Sequence, residues 1–132
     1  MSRKSTKKPF SYEYVVSWAD TDALGIMHFS NYFRLCERAE QFFFESRKLK
    51  DDRIFLPRVH ASCNFKSPLR FRDVAKVSVK IKEVGKRHLT MDYSIENLST
   101  KKLSAECQIV VVAVDEKLNP AHIDQDMIKK LA

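Results

Sequence analysis

The chain has 132 residues, of which 44% are hydrophobic and 31% charged, so it is the length of one compact domain and too apolar to remain disordered. Its net charge of +7 suits an anionic ligand, and its only two glycines, Gly25 and Gly85, exclude both a glycine-rich dinucleotide fingerprint and a P-loop. The longest unbroken apolar run, Ile109 to Val114, is too short to span a bilayer and the first residues lack a secretory apolar stretch, so a soluble, cytoplasmic protein with no membrane partner is expected.

Residues 1–9 carry Arg3, Lys4, Lys7 and Lys8 before Pro9 and are expected to form a basic, mobile tail, not a nucleic-acid arm. Residues 10–132 are expected to form a single domain. From Phe10 to Trp18 every second residue is apolar, the period of a strand with one buried face. After a turn-like stretch holding Asp20, Asp22 and Gly25, the period becomes helical: Tyr32, Leu35, Cys36, Ala39, Phe42 and Phe43 recur opposite Arg34, Arg38, Gln41, Glu45 and Lys48. Ser30 or Asn31 is the expected N-terminal cap of this long helix, and Arg47 and Lys48 lie near its negative end.

Alternation of period two returns in Val59, Ala61, Cys63, Phe65; in Ala75, Val77, Val79, Ile81; in Leu89, Met91, Tyr93, Ile95; and in Leu103, Ala105, Cys107, Ile109, Val111. Five strands with one helix between the first and second, and short links between the last three, predict an α+β fold with antiparallel neighbours. Pro120 precedes a weaker helical pattern, Ile123, Met127, Ile128 and Leu131, expected to cap one edge or face. One helix cannot cover five strands, and Val110, Val112 and Val114 make the last strand apolar on its other face, so a homodimer or homotetramer is expected. Three cysteines with no C-x-x-C pair, Cys36, Cys63 and Cys107, read as reduced core thiols.

The chemistry is concentrated between the first strand and the long helix, in the run Asp20-Thr21-Asp22-Ala23-Leu24-Gly25-Ile26-Met27-His28-Phe29-Ser30-Asn31-Tyr32. A calcium loop would need oxygen ligands where Leu24 and Asn31 stand, and His60 and Cys63 point to opposite faces of a strand, so no metal is expected. Asp20 reads as a turn-forming carboxylate bonded to backbone N–H groups. Asp22 can be either such an acceptor or a reactive carboxylate. His28 can orient water, donate to a leaving sulfur or line a pocket; Tyr32 can line the same pocket; Glu37 reads as a surface ionic partner of Arg34 and Arg38.

These residues carry a resemblance. Asp-Thr-Asp-Ala-x-Gly-Ile from Asp20, Asn31-Tyr32, Cys-Glu-Arg-Ala from Cys36, then Pro68 and Asp73-Val74 are similar to the 4-hydroxybenzoyl-CoA thioesterase-like family of hotdog-fold acyl-CoA thioesterases. The resemblance implies a hotdog fold, a five-stranded antiparallel sheet wrapped around one long helix, with subunits paired. It implies hydrolysis of an acyl-CoA thioester to a carboxylic acid and free CoA, with no cofactor beyond the CoA that belongs to the substrate. It assigns the catalytic carboxylate to Asp22 as nucleophile or general base, and the oxyanion donor to the backbone N–H of Phe29 at the helix start. Gly25, within the motif, and Tyr32 are expected to bind substrate, and Lys86 and Arg87 match a basic stretch that holds CoA phosphates in some relatives; Lys66, Arg70 and Arg72 form a second basic group suited to that task. Some relatives carry histidine where this chain has Phe29, which leaves His28 one position displaced. The competing functions are a non-catalytic acyl-thioester binder and a hydroxyacyl-thioester dehydratase on the same fold.

Overall fold

The computed structural model describes residues 10–49 and 55–131; the basic segment 1–9 lies outside the described residues. In chain order the elements are β1 (Phe10–Val15), a 3-10 turn (Trp18–Asp20), α1 (Ser30–Ser46), β2 (Arg58–Phe65), β3 (Val74–Val84), β4 (His88–Asn97), β5 (Lys102–Val112) and α2 (Gln125–Leu131). The five strands form one antiparallel sheet in the order β1-β3-β4-β5-β2, with α1 packed against its inner face. This is the expected α+β architecture of one long helix, five strands and a short C-terminal helix.

Register explains the core. Val77 pairs with Ile95, Val79 with Tyr93 and Ile81 with Met91; Tyr93, Met91 and Leu89 in turn face Cys107, Ile109 and Val111. Each alternating apolar series therefore lands beside another on one face, and all of these side chains are buried. Each fully buried aliphatic side chain contributes about 1.5–3 kcal/mol of transfer free energy, which offsets the entropy of ordering the strands. The opposite face is polar toward its middle, where Lys76 pairs with Glu96, Lys80 with Asp92 and Ser78 with Ser94.

Several expectations are corrected. Trp18 leaves the strand pattern: β1 ends at Val15, Val16 is the last buried residue of that segment, and Trp18 opens the 3-10 turn with its ring 78% exposed. In α1 the buried face comprises Tyr32, Leu35, Cys36, Ala39, Glu40, Phe43 and Phe44, whereas Phe42 turns outward onto the ring of Tyr12. Cys36, Glu40 and Phe44 form an i, i+4, i+8 row, so burial of Glu40 rotates the inward face toward Phe44. Neither Ser30 nor Asn31 caps the helix; Phe29 occupies the cap position without a side-chain bond, and the ring of His28 serves instead. The far end stops where Lys48 takes a left-handed conformation (φ 60°) and the Leu49 N–H returns to the Phe44 carbonyl at 2.9 Å.

The alternation in β2 does not bury a face within this chain. Lying at the sheet edge beyond β5, β2 leaves Val59 59% and Phe65 50% exposed, with Cys63 half-buried. Leu103, at the start of β5, is also partly exposed. The cysteines are free, and they meet: Cys63 faces Cys107 across β2 and β5, and Cys107 bonds in turn to Cys36 of α1. Hydrogen bonding between the thiols, reinforced by burial, pushes Cys63 and Cys107 far up, so both stay protonated and unreactive.

At the other end of the sheet, the Ile123 N–H donates to Lys86 O at 2.7 Å, and Met127 and Leu131 of α2 are buried in the core. Among the described residues no helix is long and apolar enough to cross a membrane.

Candidate active site

The run from Asp20 to Asn31 forms a small hairpin leading into α1. Thr21 bridges to Met27, the Asp22 N–H donates to Ile26 O, and the Gly25 N–H donates to Asp22 O, the last two at 2.9 Å. Gly25 closes the turn at φ 78°, a conformation that a Cβ would strain, which explains this glycine; its surroundings are otherwise open. A second bridge, Ile26 to Arg70, and the Met27 N–H to Leu69 O at 2.7 Å tie the hairpin to the segment before β3.

The two aspartates separate cleanly. Asp20 is the structural carboxylate: its Oδ2 accepts the Tyr14 hydroxyl at 2.6 Å, the Ser17 N–H at 2.9 Å and the Ser17 hydroxyl at 3.2 Å. Burial works to raise its pKa, but the bonds from Tyr14 and Ser17, with the Arg38 charge, outweigh it and hold Asp20 below the usual value. Its backbone carbonyl accepts the His28 N–H at 2.9 Å and Asn31 Nδ2 at 2.8 Å, fixing the approach to the helix. Asp22 is half-buried; its Oδ1 accepts the Leu24 N–H at 2.9 Å, and its Oδ2 has no protein partner among the described residues.

Asp22 opens into a cleft of about 600 Å³ shared with Phe29, Tyr32, Phe65, Ser67 and Arg70, with Met27 and Pro68 in its walls. Phe29 sits at the start of α1, and its N–H donates to no group among the described residues. That free N–H, at the positive end of a 17-residue helix with no acidic side chain in its first turn, is suited to a developing oxyanion. His28 does not line the cleft. Its Nδ1 accepts from the Ser30 N–H at 3.2 Å and lies 2.8 Å from Ser30 Oγ, while its ring stacks on Phe29 at 4.5 Å. A neutral His28 with Nδ1 accepting carries its proton on Nε2.

Tyr32 meets Phe65 edge to face at 4.9 Å, and its hydroxyl lies 3.2 Å from Ser104 Oγ. Ser104 Oγ donates to Ser67 O at 2.6 Å, so Tyr32 is the donor in its own bond; the Ser104 carbonyl also accepts the Lys66 N–H at 2.7 Å. Fully buried Ser104 thus fastens the helix side and the Ser67 side of the cleft together. Burial raises the Tyr32 phenol above its ordinary value.

Lys86 and Arg87 are not brought to this cleft within the chain. They form the β3–β4 turn, where the Ala113 N–H donates to Arg87 O, whereas Phe65 lies level with Ala105, and that length of chain is roughly 26 Å. Arg70 is in the cleft instead. Phe65 is readable as an inward strand residue and Arg70 as part of a basic group; the Ile26–Arg70 bridge brings Arg70 to the cleft, and the pairing of β2 with β5 brings Phe65 against Tyr32. No ion pair joins Glu37 to Arg34 or Arg38 among the described residues. A larger cleft of about 730 Å³ beside α2, lined by Phe55, Asp115 and His122 among others, pairs no carboxylate with a long helix start. Among the described residues no three His, Cys, Asp or Glu side chains are grouped to hold a metal.

A sheet curled around one long helix, with an aspartate in the loop that feeds the helix, is the hotdog arrangement. Residues 16–131 match the thioesterase-like superfamily, and the chain belongs to it. A putative esterase of Aquifex aeolicus is 32% identical over 105 residues, covering 74% of this chain and 82% of that protein. A 1,4-dihydroxy-2-naphthoyl-CoA hydrolase of Synechocystis is 30% identical over 116 residues, covering 82% and 84%. The crystal structure of a 1,4-dihydroxy-2-naphthoyl-CoA thioesterase from Synechocystis superposes with a TM-score of 0.86 at 27% identity, covering 93% of this chain and 95% of that one.

Proposed function

We propose that the protein hydrolyses an acyl-CoA thioester to a carboxylic acid and free CoA in the Asp22 cleft. The observation that carries this reading is the shared cleft itself: a half-buried carboxylate with one free oxygen and the start of α1 face the same apolar space. In this reading the thioester carbonyl oxygen lies against the Phe29 N–H, which gains interaction as charge develops on it. Asp22 then attacks the carbonyl carbon, giving a mixed anhydride that water opens, or takes a proton from the water that attacks. In either route the C–S bond breaks and the sulfur leaves as thiolate; a thiol pKa of about 8.5 makes that departure feasible near neutrality without a dedicated acid.

The walls formed by Phe29, Tyr32 and Phe65 and the bicyclic aromatic substrate of the Synechocystis relative make aromatic acyl-CoAs the first compounds to assay. Thiol release measured over short, long and aromatic acyl-CoAs is expected to show turnover on at least one class. An enoyl thioester without thiol would identify a dehydratase, and acyl-CoA bound but recovered intact would identify a binding protein; either result defeats the hydrolase reading. A second copy of the chain is proposed to cover the open edge of β2, where Val59 and Phe65 are exposed. Light scattering is expected to return the mass of a dimer or tetramer, and a monomer at micromolar concentration would refute that part.

A further inference from the structure

We propose that Arg70, supported by Lys66 and Arg72, holds the phosphates of the substrate's CoA arm; the identity of that anion rests on the acyl-CoA reading above. All three cations are exposed, and none has a carboxylate partner among the described residues. Among the described residues Arg70 is the one cation that lines the Asp22 cleft. Unpaired guanidinium groups at the mouth of an apolar cleft are suited to phosphate oxygens, which they can meet with two parallel bonds.

The backbone that presents them is built for the purpose. In the turn Arg70-Phe71-Arg72-Asp73 the Asp73 N–H returns to Arg70 O at 2.9 Å, and Arg72 is held at φ 72°, where glycine would be the unstrained residue. Asp73 Oδ2 enforces this turn by accepting the Arg70 N–H at 2.8 Å and Nδ2 of buried Asn97 at 2.7 Å. The Arg72 N–H donates to Val16 O and the Val16 N–H to Asp73 O, each at 2.9 Å, so the turn is sewn to the end of β1 as well. Arg72 lies over the exposed ring of Phe71, its guanidinium carbon 4.9 Å from the centroid, which leaves its edge open to an anion.

The direction of the substrate follows from the walls. Met27 and Tyr32 make the inner side of the cleft buried and apolar, fit for the acyl group, whereas exposed Arg70 is on the solvent side, fit for the charged end, with exposed Lys66 next to Ser67 in sequence. Lys86 and Arg87, at the far end of the sheet, cannot act on a substrate in the same chain's cleft.

The test compares the full-length wild type with Arg70→Ala, Arg70→Lys, Lys66→Ala/Arg70→Ala and Lys86→Ala/Arg87→Ala. Calorimetry uses free CoA and phosphate-free pantetheine; kinetics use one acyl group carried on CoA and on pantetheine. Arg70→Ala is expected to raise both the Kd for CoA and KM for acyl-CoA about tenfold or more, with Arg70→Lys intermediate and a shallower dependence on salt. The loss on acyl-pantetheine should be several-fold smaller than the loss on acyl-CoA. Equal losses on both thioesters would overturn the proposal by placing Arg70 at the acyl group, and so would unchanged CoA binding in Arg70→Ala. A wild type that binds CoA through Arg70 but cleaves no thioester would defeat the hydrolase reading and leave the phosphate site standing. One that cleaves acyl-CoA equally well without Arg70 would do the reverse.

Discussion

Replacing Asp22 with asparagine is expected to lower kcat for thioester hydrolysis by about 10²- to 10⁴-fold, the usual contribution of a positioned nucleophile or base. The fold should survive. The only bond to the Asp22 side chain among the described residues, from the Leu24 N–H to Oδ1, can be accepted by an amide oxygen in the same place. KM should move little, because the substitution is nearly isosteric and the apolar walls remain. Asp20→Asn is the contrasting variant: its carboxylate is occupied by Tyr14 and Ser17, so it should melt earlier while keeping most of its turnover. If Asp22→Asn retained wild-type turnover, or Asp20→Asn alone abolished it in a folded protein, the assignment of Asp22 would be wrong.

The second large effect concerns stability. Glu40 is fully buried between α1 and the sheet, with Oε2 2.6 Å from Arg58 Nη2 at the start of β2 and Oε1 accepting the Tyr93 hydroxyl at 2.7 Å. Removing the cation from a buried pair costs about 3–5 kcal/mol, because the carboxylate stays desolvated. Arg58 keeps 28% of its side-chain surface, so the lower end applies. Arg58→Met is therefore expected to lose about 3 kcal/mol in urea unfolding, or about 10 °C in Tm. Glu40→Gln combined with Arg58→Met should recover much of that loss, since no charge is then left buried. A loss below about 1 kcal/mol in the single variant would show that the pair is better solvated than its burial implies.

The same cluster fixes a pH limit. Burial, and next the Glu40 charge, push the Tyr93 phenol well above its ordinary value, and burial raises Tyr32. A phenol kept neutral by folding lends stability that is whole below the unfolded value of about 10 and drains away as pH climbs from there toward the folded value.

Much of the fold is legible because it is local. Alternation in β3, β4 and β5 matches a buried face on each, and the Asp20–Tyr32 run carries its turn, its glycine and its helix start within a few residues. What fails is whatever depends on strand order. Val59 and Phe65 have the same period as their counterparts, yet β2 sits at the edge, where α1 meets it through Glu40–Arg58 and Tyr32–Phe65 and still leaves Val59 and half of Phe65 exposed. Glu40 gives no sign of burial in the sequence, because Arg58 and Tyr93 neutralise its cost from elsewhere in the chain. Trp18 continues an apolar alternation that the Ser17–Asp20 bonds break into a turn. In the site, Asp22 and Phe29 are readable from one short segment, whereas Arg70 and Phe65 reach it only through pairing across the fold.

Ser104 gives the slot a fixed gauge. Its single hydroxyl couples the phenol of Tyr32 on one jaw to the Ser67 carbonyl on the other, so neither jaw can swing outward without costing the buried Ser104 hydroxyl a partner. Widening the slot therefore means breaking the Ser104 bonds first.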